Sequence, residues 1–276
     1  MQIKVGYELI YSCPKPTPMI VTLNVNYSRV SDLIQPDILI LSPSVPVSAY
    51  RDSYGNWCSR ILAPAGQIRL TGNGVVADAG TPDPVLPWLV QRPVETLPEE
   101  TLLFLLGSRY CETDLLSEMA WDLFDSAPTG WNRVQAICDF VHQHIQFDYA
   151  RSCPTRSAYQ AYQERVGVCR DFAHLAVTLC RCMNIPARYC TGYLSDIGEP
   201  PIDTPMDFAG WFEAYLGDNW YTFDPRNNKP RIGRILIARG RDAADVALTT
   251  SFGTSTLDSF KVWTDEITTP AKNAEP

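Results

Sequence analysis

The stretch Gly167-Val168-Cys169-Arg170-Asp171-Phe172-Ala173-His174-Leu175 sets one cysteine where a tight turn feeds a helix. Phe172, Leu175, Ala176, Leu179 and Met183 recur at helical spacing and give that helix an apolar face. Asn184-Ile185-Pro186 then stops it. A cysteine in the first turn of such a helix meets unpaired backbone N–H groups and the positive end of the helix dipole. Both favour the thiolate, the nucleophilic form. Cys169 is therefore expected to be the most thiolate-like of the nine cysteines, with the negative charge of Asp171 tempering the effect.

Working outward, Ala187–Leu194 reads as a strand, and Phe208–Leu216 with Trp220–Asp224 as a β-hairpin around Gly217-Asp218-Asn219. A two-residue turn at Asp218-Asn219 puts Asp224 on the face that carries Ala209. A three-residue turn puts it on the opposite face, and both registers stay open. Upstream, Leu115, Met119, Ala120 and Leu123 form one helical stripe, and Val134, Ile137, Cys138, Val141 and Ile145 another. Helices followed by strands make the second half α+β. Residues 1–80 carry short strand-like runs, among them Ile20–Val25, Ile38–Leu41 and Ile68–Val76, which suggest a β-sandwich. Gly72-Asn73-Gly74 reads there as a hairpin turn, not a phosphate loop, because no helix follows. Pro82, Pro84, Pro87, Pro93 and Pro98 mark a wrapped connection. The expected division is a β domain with its Pro-rich connection at 1–95, an α+β core at 96–267, and a short polar tail at 268–276 that frays.

The net charge of −8 and the pI of about 4.9 indicate no basic surface for nucleic acid or anionic membrane. No run approaches the roughly 18 apolar residues of a membrane span, and Met1–Tyr7 lacks the features of a signal peptide. A cytoplasmic location with reduced cysteines is the expectation. Cys180 and Cys182 point about 200° apart on a helix, and the other cysteines are scattered, so no metal is implied. No cofactor is implied either.

A thiol nucleophile for acyl transfer needs a base, a group that orients the base, and N–H donors for the oxyanion. Cys169 suits the first role, and its own backbone N–H suits the oxyanion. Asp224 suits the orienter, at the end of the aromatic strand Trp220-Tyr221-Thr222-Phe223-Asp224-Pro225. The three histidines do not offer themselves as base. His174 lies about 140° around the helix from Cys169 and reads as a core hydrogen-bonding residue. His142 and His144 diverge near a helix C-terminus, where the dipole favours them. Trp211, Tyr215, Trp220 and Tyr221 read as core and cleft wall. Arg231, Arg234, Arg239 and Arg241 read as ion-pair partners near Asp242 and Asp245, with a substrate carboxylate as the alternative.

Arg165–Ala173, Ile185–Tyr189 and Tyr221–Arg226 together resemble the bacterial transglutaminase-like family, a circularly rearranged relative of papain-type cysteine proteases. A closely related group resembles this chain over nearly its whole length, including Gly240–Ala247 and the N-terminal β region. The resemblance implies a Cys-His-Asp triad with Cys169 as nucleophile and Asp224 as orienter. It departs at the base: the family has His-Ala-Trp where this chain has Ala209-Gly210-Trp211. The implied activity, on amide bonds of peptides or glutamine side chains, is then weak or absent by the usual mechanism. A protein or peptide is the implied partner. The rival reading is a binding or scaffold module that uses the former substrate cleft, and an enzyme with another base is the third.

Overall fold

The computed structural model describes residues 1–200 and 206–268. Its N-terminal strands are β1 (Gln2–Cys13), β2 (Thr17–Val21), β3 (Leu33–Gln35), β4 (Ile40–Ser42), β5 (Ser48–Arg51), β6 (Trp57–Ala63) and β7 (Gly66–Ala77). Then follow α1 (Glu99–Leu102), α2 (Thr113–Phe124), α3 (Trp131–His144), β8 (Gln146–Phe147), α4 (Ala158–Glu164), β9 (Val166–Gly167) and α5 (Cys169–Cys182). The chain closes with β10 (Ala187–Leu194), β11 (Ala209–Leu216), β12 (Asn219–Phe223), β13 (Arg234–Gly240), β14 (Thr249–Ser251) and β15 (Thr256–Glu266).

Period-two alternation builds the first half. Ile3, Val5, Tyr7, Leu9, Tyr11 and Cys13 of β1 turn inward, as do Ile68, Leu70 and Val76 of β7. These two strands pair antiparallel from Gln2 opposite Ala77 to Cys13 opposite Gly66. One sheet runs β15-β1-β7-β3, with β4 also on β7, and the other runs β14-β2-β6-β5. Met19, Val21, Ile61 and Ala63 from the second sheet join the same apolar cluster as β1 and β7.

Two sequence expectations change here. Gly72-Asn73-Gly74 is not a hairpin turn but the middle of β7. A Cβ on Gly72 would stand 2.6 Å from the Tyr7 ring, so glycine lets that ring cross the strand. The second change concerns the end of the chain. β14 pairs with β2 and β15 with β1, so residues 249–266, expected in the core, complete the N-terminal sheets. Of the tail expected to fray, residues 269–276 lie outside the described residues.

In the second half, α5 lies against the sheet β12-β11-β10-β13. Its interior is apolar nearly all round: every residue from Asp171 to Cys182 is buried. One core cluster joins α2, α3 and α5 to Phe212, Ala214, Leu216 and Phe223 of the hairpin. Ala173, Tyr189, Tyr193, Ile235 and Ile237 belong instead to the cluster of the N-terminal sheets, so the two halves share an apolar interior. The face of α3 is the expected one. The face of α2 is Leu116, Ala120 and Phe124, while Leu115 and Leu123 are exposed. This helix is apolar on two adjacent faces, and packing on α5 selects between them. No helix among the described residues is long and apolar enough to cross a membrane.

Candidate active site

The turn before α5 depends on one close contact. A Cβ on Gly167 would lie 2.6 Å from Asp171 Cβ. Glycine there lets the Asp171 carboxylate fold back and accept the Val168 N–H at 2.8 Å and a guanidinium N–H of Arg156 at 3.2 Å. Asp171 thus secures the start of the helix. The N–H groups of Cys169 and Arg170 sit at the first helical positions, where no carbonyl of the helix reaches them.

The start of β11 runs past this helix end. A Cβ on Gly210 would meet Tyr189 Oη at 2.7 Å and the Arg170 backbone nitrogen at 3.4 Å, so only glycine brings the strand this near. The Gly210 N–H favours the thiolate form of Cys169. Ala209 pairs with Gly192, and its carbonyl accepts the Thr191 hydroxyl at 3.0 Å.

Cys169, Ala209 and Gly210 line a cavity of about 170 Å³ with Phe147, Tyr149, Asp207, Arg226 and Arg231. Cys169 is partly accessible. Burial pushes its thiol up to about 11, and the Asp207 and Asp224 charges add to this; the Gly210 N–H and the Arg226 charge work in the other direction. The same neighbours act on Tyr149, whose phenol is raised to about 12 by burial, then by Asp207 and Cys169. Cys169, Tyr149, Asp207 and Arg226 are therefore one electrostatically coupled cluster. Burial of the Asp207 carboxyl raises its pKa above the ordinary range, a shift moderated because the residue is exposed at the cavity rim. The expectation that Cys169 is the most thiolate-like cysteine is overturned. Helix position is outweighed by desolvation and by the Asp207 and Asp224 carboxylates. Cys153 is the thiol held below its ordinary value, by the Thr155 hydroxyl.

Asp224 points inward but away from this cavity. The hairpin turns at Gly217-Asp218 and pairs Phe212 with Phe223, which sets Asp224 on the face of Ala209. Its carboxylate accepts the Asn227 N–H at 3.0 Å, the Asn227 side-chain amide at 2.7 Å and an Arg234 guanidinium N–H at 3.0 Å. The expected backbone donor is present; in place of an aromatic N–H stands Arg234, which also binds Asp83 at 3.1 Å and lies over the Trp211 ring. Asp224 lines a second, smaller cavity with Asp83, Trp131 and Asn228.

The histidines are engaged elsewhere. His174 is fully buried between Tyr110 and Tyr189, and its Nε2 accepts the Ala243 N–H at 3.1 Å. Burial holds its pKa well below the ordinary value. His142 donates from Nδ1 to the Pro225 carbonyl at 3.0 Å, and His144 donates from Nε2 to the Tyr162 carbonyl at 2.8 Å. No imidazole lines the Cys169 cavity among the described residues. Arg231 and Arg234 are buried ion-pair partners, whereas Arg241 pairs with Asp245 nearer the surface. Reading from sequence missed Asp207, Tyr149 and Arg226 as cavity residues. Their only sequence signal is proximity to a motif, Asp207 two residues before Ala209 and Arg226 two after Asp224.

Residues 118–225, which include both Cys169 and Asp224, match the family model described as the transglutaminase-like superfamily. A Mycobacterium tuberculosis protein, Rv2569c, is 30% identical over 225 residues, covering 72% of this chain and 69% of that protein. The chain belongs to the transglutaminase-like superfamily. A Mycobacterium leprae protein, ML0607, is 35% identical over 94 residues, a third of each chain. The crystal structure of a "putative cysteine protease" from Cytophaga hutchinsonii superposes with a TM-score of 0.82 at 29% identity, covering 98% of this chain and 91% of that one. This transglutaminase-like chain therefore shares both its core and its N-terminal sheets with that structure.

Proposed function

We propose that the cavity is a cysteine acyl-transfer site in which Cys169 is the nucleophile and the imidazole of the superfamily triad has been replaced by Ala209. Its substrate is an amide or ester carbonyl of a peptide or of a glutamine-type side chain, attacked slowly. The observation that carries the reading is the placement of Cys169. Its sulfur opens from a helix start into a cavity of about 170 Å³. The first-turn N–H groups of α5 supply donors for an oxyanion, and the Gly210 N–H favours the thiolate. A thiol near 11 keeps the reaction slow at neutral pH. Nine unpaired cysteines suit a reducing compartment, so a cytoplasmic site belongs to the same proposal.

The test is hydrolysis of a small activated ester and a small activated amide by wild type and Cys169→Ala, with folding checked by circular dichroism. A folded Cys169→Ala protein that has lost the wild-type rate supports the reading. Equal rates favour the second reading, a cleft that binds a peptide without chemistry. The capture of Asp224 by Arg234 is the observation on that side.

A further inference from the structure

Of the groups around Cys169, one carboxylate has, among the described residues, no structural task comparable to those of its neighbours. Asp171 secures the helix start, and Asp224 is locked by Arg234 and Asn227. Asp196 lies 3.3 Å from an Arg231 guanidinium nitrogen. Among the described residues, Asp207 accepts only the N–H of the next residue, Phe208, at 2.6 Å, on one oxygen. It stands on the cavity wall two residues before Ala209, on the strand approach from which the superfamily presents its base.

We propose that Asp207 is the general base for Cys169, a catalytic residue that takes the place of the imidazole. The reading rests on Cys169 being a nucleophile. In the acylation step Asp207 accepts the thiol proton while the sulfur forms a bond to the substrate carbonyl carbon. The carbonyl π electrons move to oxygen, which is held by first-turn N–H groups of α5. As the tetrahedral species collapses, the C–N or C–O bond breaks and the Asp207 carboxylic acid returns the proton to the leaving amine or alkoxide. Water then attacks the thioester carbonyl carbon as Asp207 takes its proton; the C–S bond breaks, the product carboxylic acid leaves, and the Asp207 carboxylic acid returns the proton to the sulfur, regenerating the thiol. No redox partner is needed. The groups facing Asp207 across the cavity are Cys169, the Tyr149 phenol, and the Arg226 and Arg231 guanidiniums, with Asp196 beside Arg231. The raised pKa of the Asp207 carboxyl brings it nearer to the value of an effective base at neutral pH. The chemistry also carries a cost, since an anionic Asp207 opposes thiolate formation at Cys169.

That opposition separates a base from a bystander. Asp207→Asn removes the larger of the two charges that raise the thiol pKa, so iodoacetamide labelling of Cys169 at pH 8 should rise about threefold or more. If Asp207 is the base, Cys169-dependent hydrolysis should instead fall by about 10²-fold or more. The low-pH limb of the wild-type kcat/KM profile should vanish with it, and Asp207→Glu should restore part of the rate. Labelling read on the same sample reports a folded cavity. A folded Asp207→Asn protein whose hydrolysis equals or exceeds wild type overturns the proposal while leaving Cys169 as nucleophile. Wild-type hydrolysis equal to that of Cys169→Ala overturns both.

Discussion

Two aspartates act on the Cys169 thiol through their charge, and they differ in what holds them. Asp224 occupies the motif position, is buried, and spends its carboxylate on Arg234 and two donors of Asn227. Asp207 occupies no motif, stands at the rim, and faces the cavity with one oxygen free of protein donors among the described residues. A carboxylate bound to a buried guanidinium is a structural element whatever its ancestry. One left in a cavity beside a thiol is available for proton transfer. A motif therefore locates a residue but does not assign its chemistry; its hydrogen-bond partners do.

The largest expected effect tests the structural side of that contrast. Arg234→Met leaves Asp224 and Asp83 without their shared cation, and removing one partner of a buried ion pair costs about 3–5 kcal/mol. Urea unfolding at pH 7 should show that loss, while Asp207→Asn should shift the midpoint little. Equal losses from the two substitutions would erase the difference between the aspartates. Next comes the thiol itself. With Cys169 raised to about 11, thiolate is about one part in a thousand at pH 8, and alkylation should climb roughly tenfold per pH unit to pH 10. The sign follows from burial and Asp207 both disfavouring the charged form. Cys153, held below its ordinary value, should label first at pH 8. A plateau for Cys169 below pH 9 would mean that the helix start outweighs both. A smaller effect concerns how β11 reaches the helix: Gly210→Ala meets Tyr189 Oη at 2.7 Å and should cost about 1–3 kcal/mol, partly recovered with Tyr189→Phe. The smallest is Ala209→His. An imidazole there supplies a base, but Asp224 is already engaged by Arg234, so hydrolysis by Cys169 should rise only about tenfold, or roughly 1.4 kcal/mol. A gain above a thousandfold would show that Asp224 releases Arg234 to orient the ring.

The α5 region was legible because its signals agree: helical spacing of Phe172, Leu175, Ala176 and Leu179, a glycine before the cysteine, and a stop at Asn184-Ile185-Pro186. The β10 strand and the hairpin were legible as well, and only the turn register had to come from pairing. The face of α2 was not, because Leu115 and Leu116 are equally apolar and only the neighbouring α5 distinguishes them. Gly72 and Gly74 look like a turn in sequence because glycine serves a turn and a close aromatic contact alike. At the site, the helix-start position of Cys169 and the strand-end position of Asp224 were legible from their local settings. The place of Asp207 on the cavity was not, because it depends on which surfaces the chain brings together, and the thiol pKa was misjudged for the same reason.

The antiparallel pairing of β15 with β1 sets Ile3 opposite Glu266 and Ser12 opposite Thr256. During synthesis at about 5–20 residues per second, β1 leaves the ribosome roughly 10–50 s before its partner. From the emergence of β7 until then, a strand with Ile3, Val5, Tyr7 and Leu9 on one face has β7 on one side and an open row of backbone N–H and C=O groups on the other. Contacts of such large sequence separation also slow the search for the native state. The nascent chain should therefore be at its most aggregation-prone after the cleft-forming segments have emerged and before the last strand arrives.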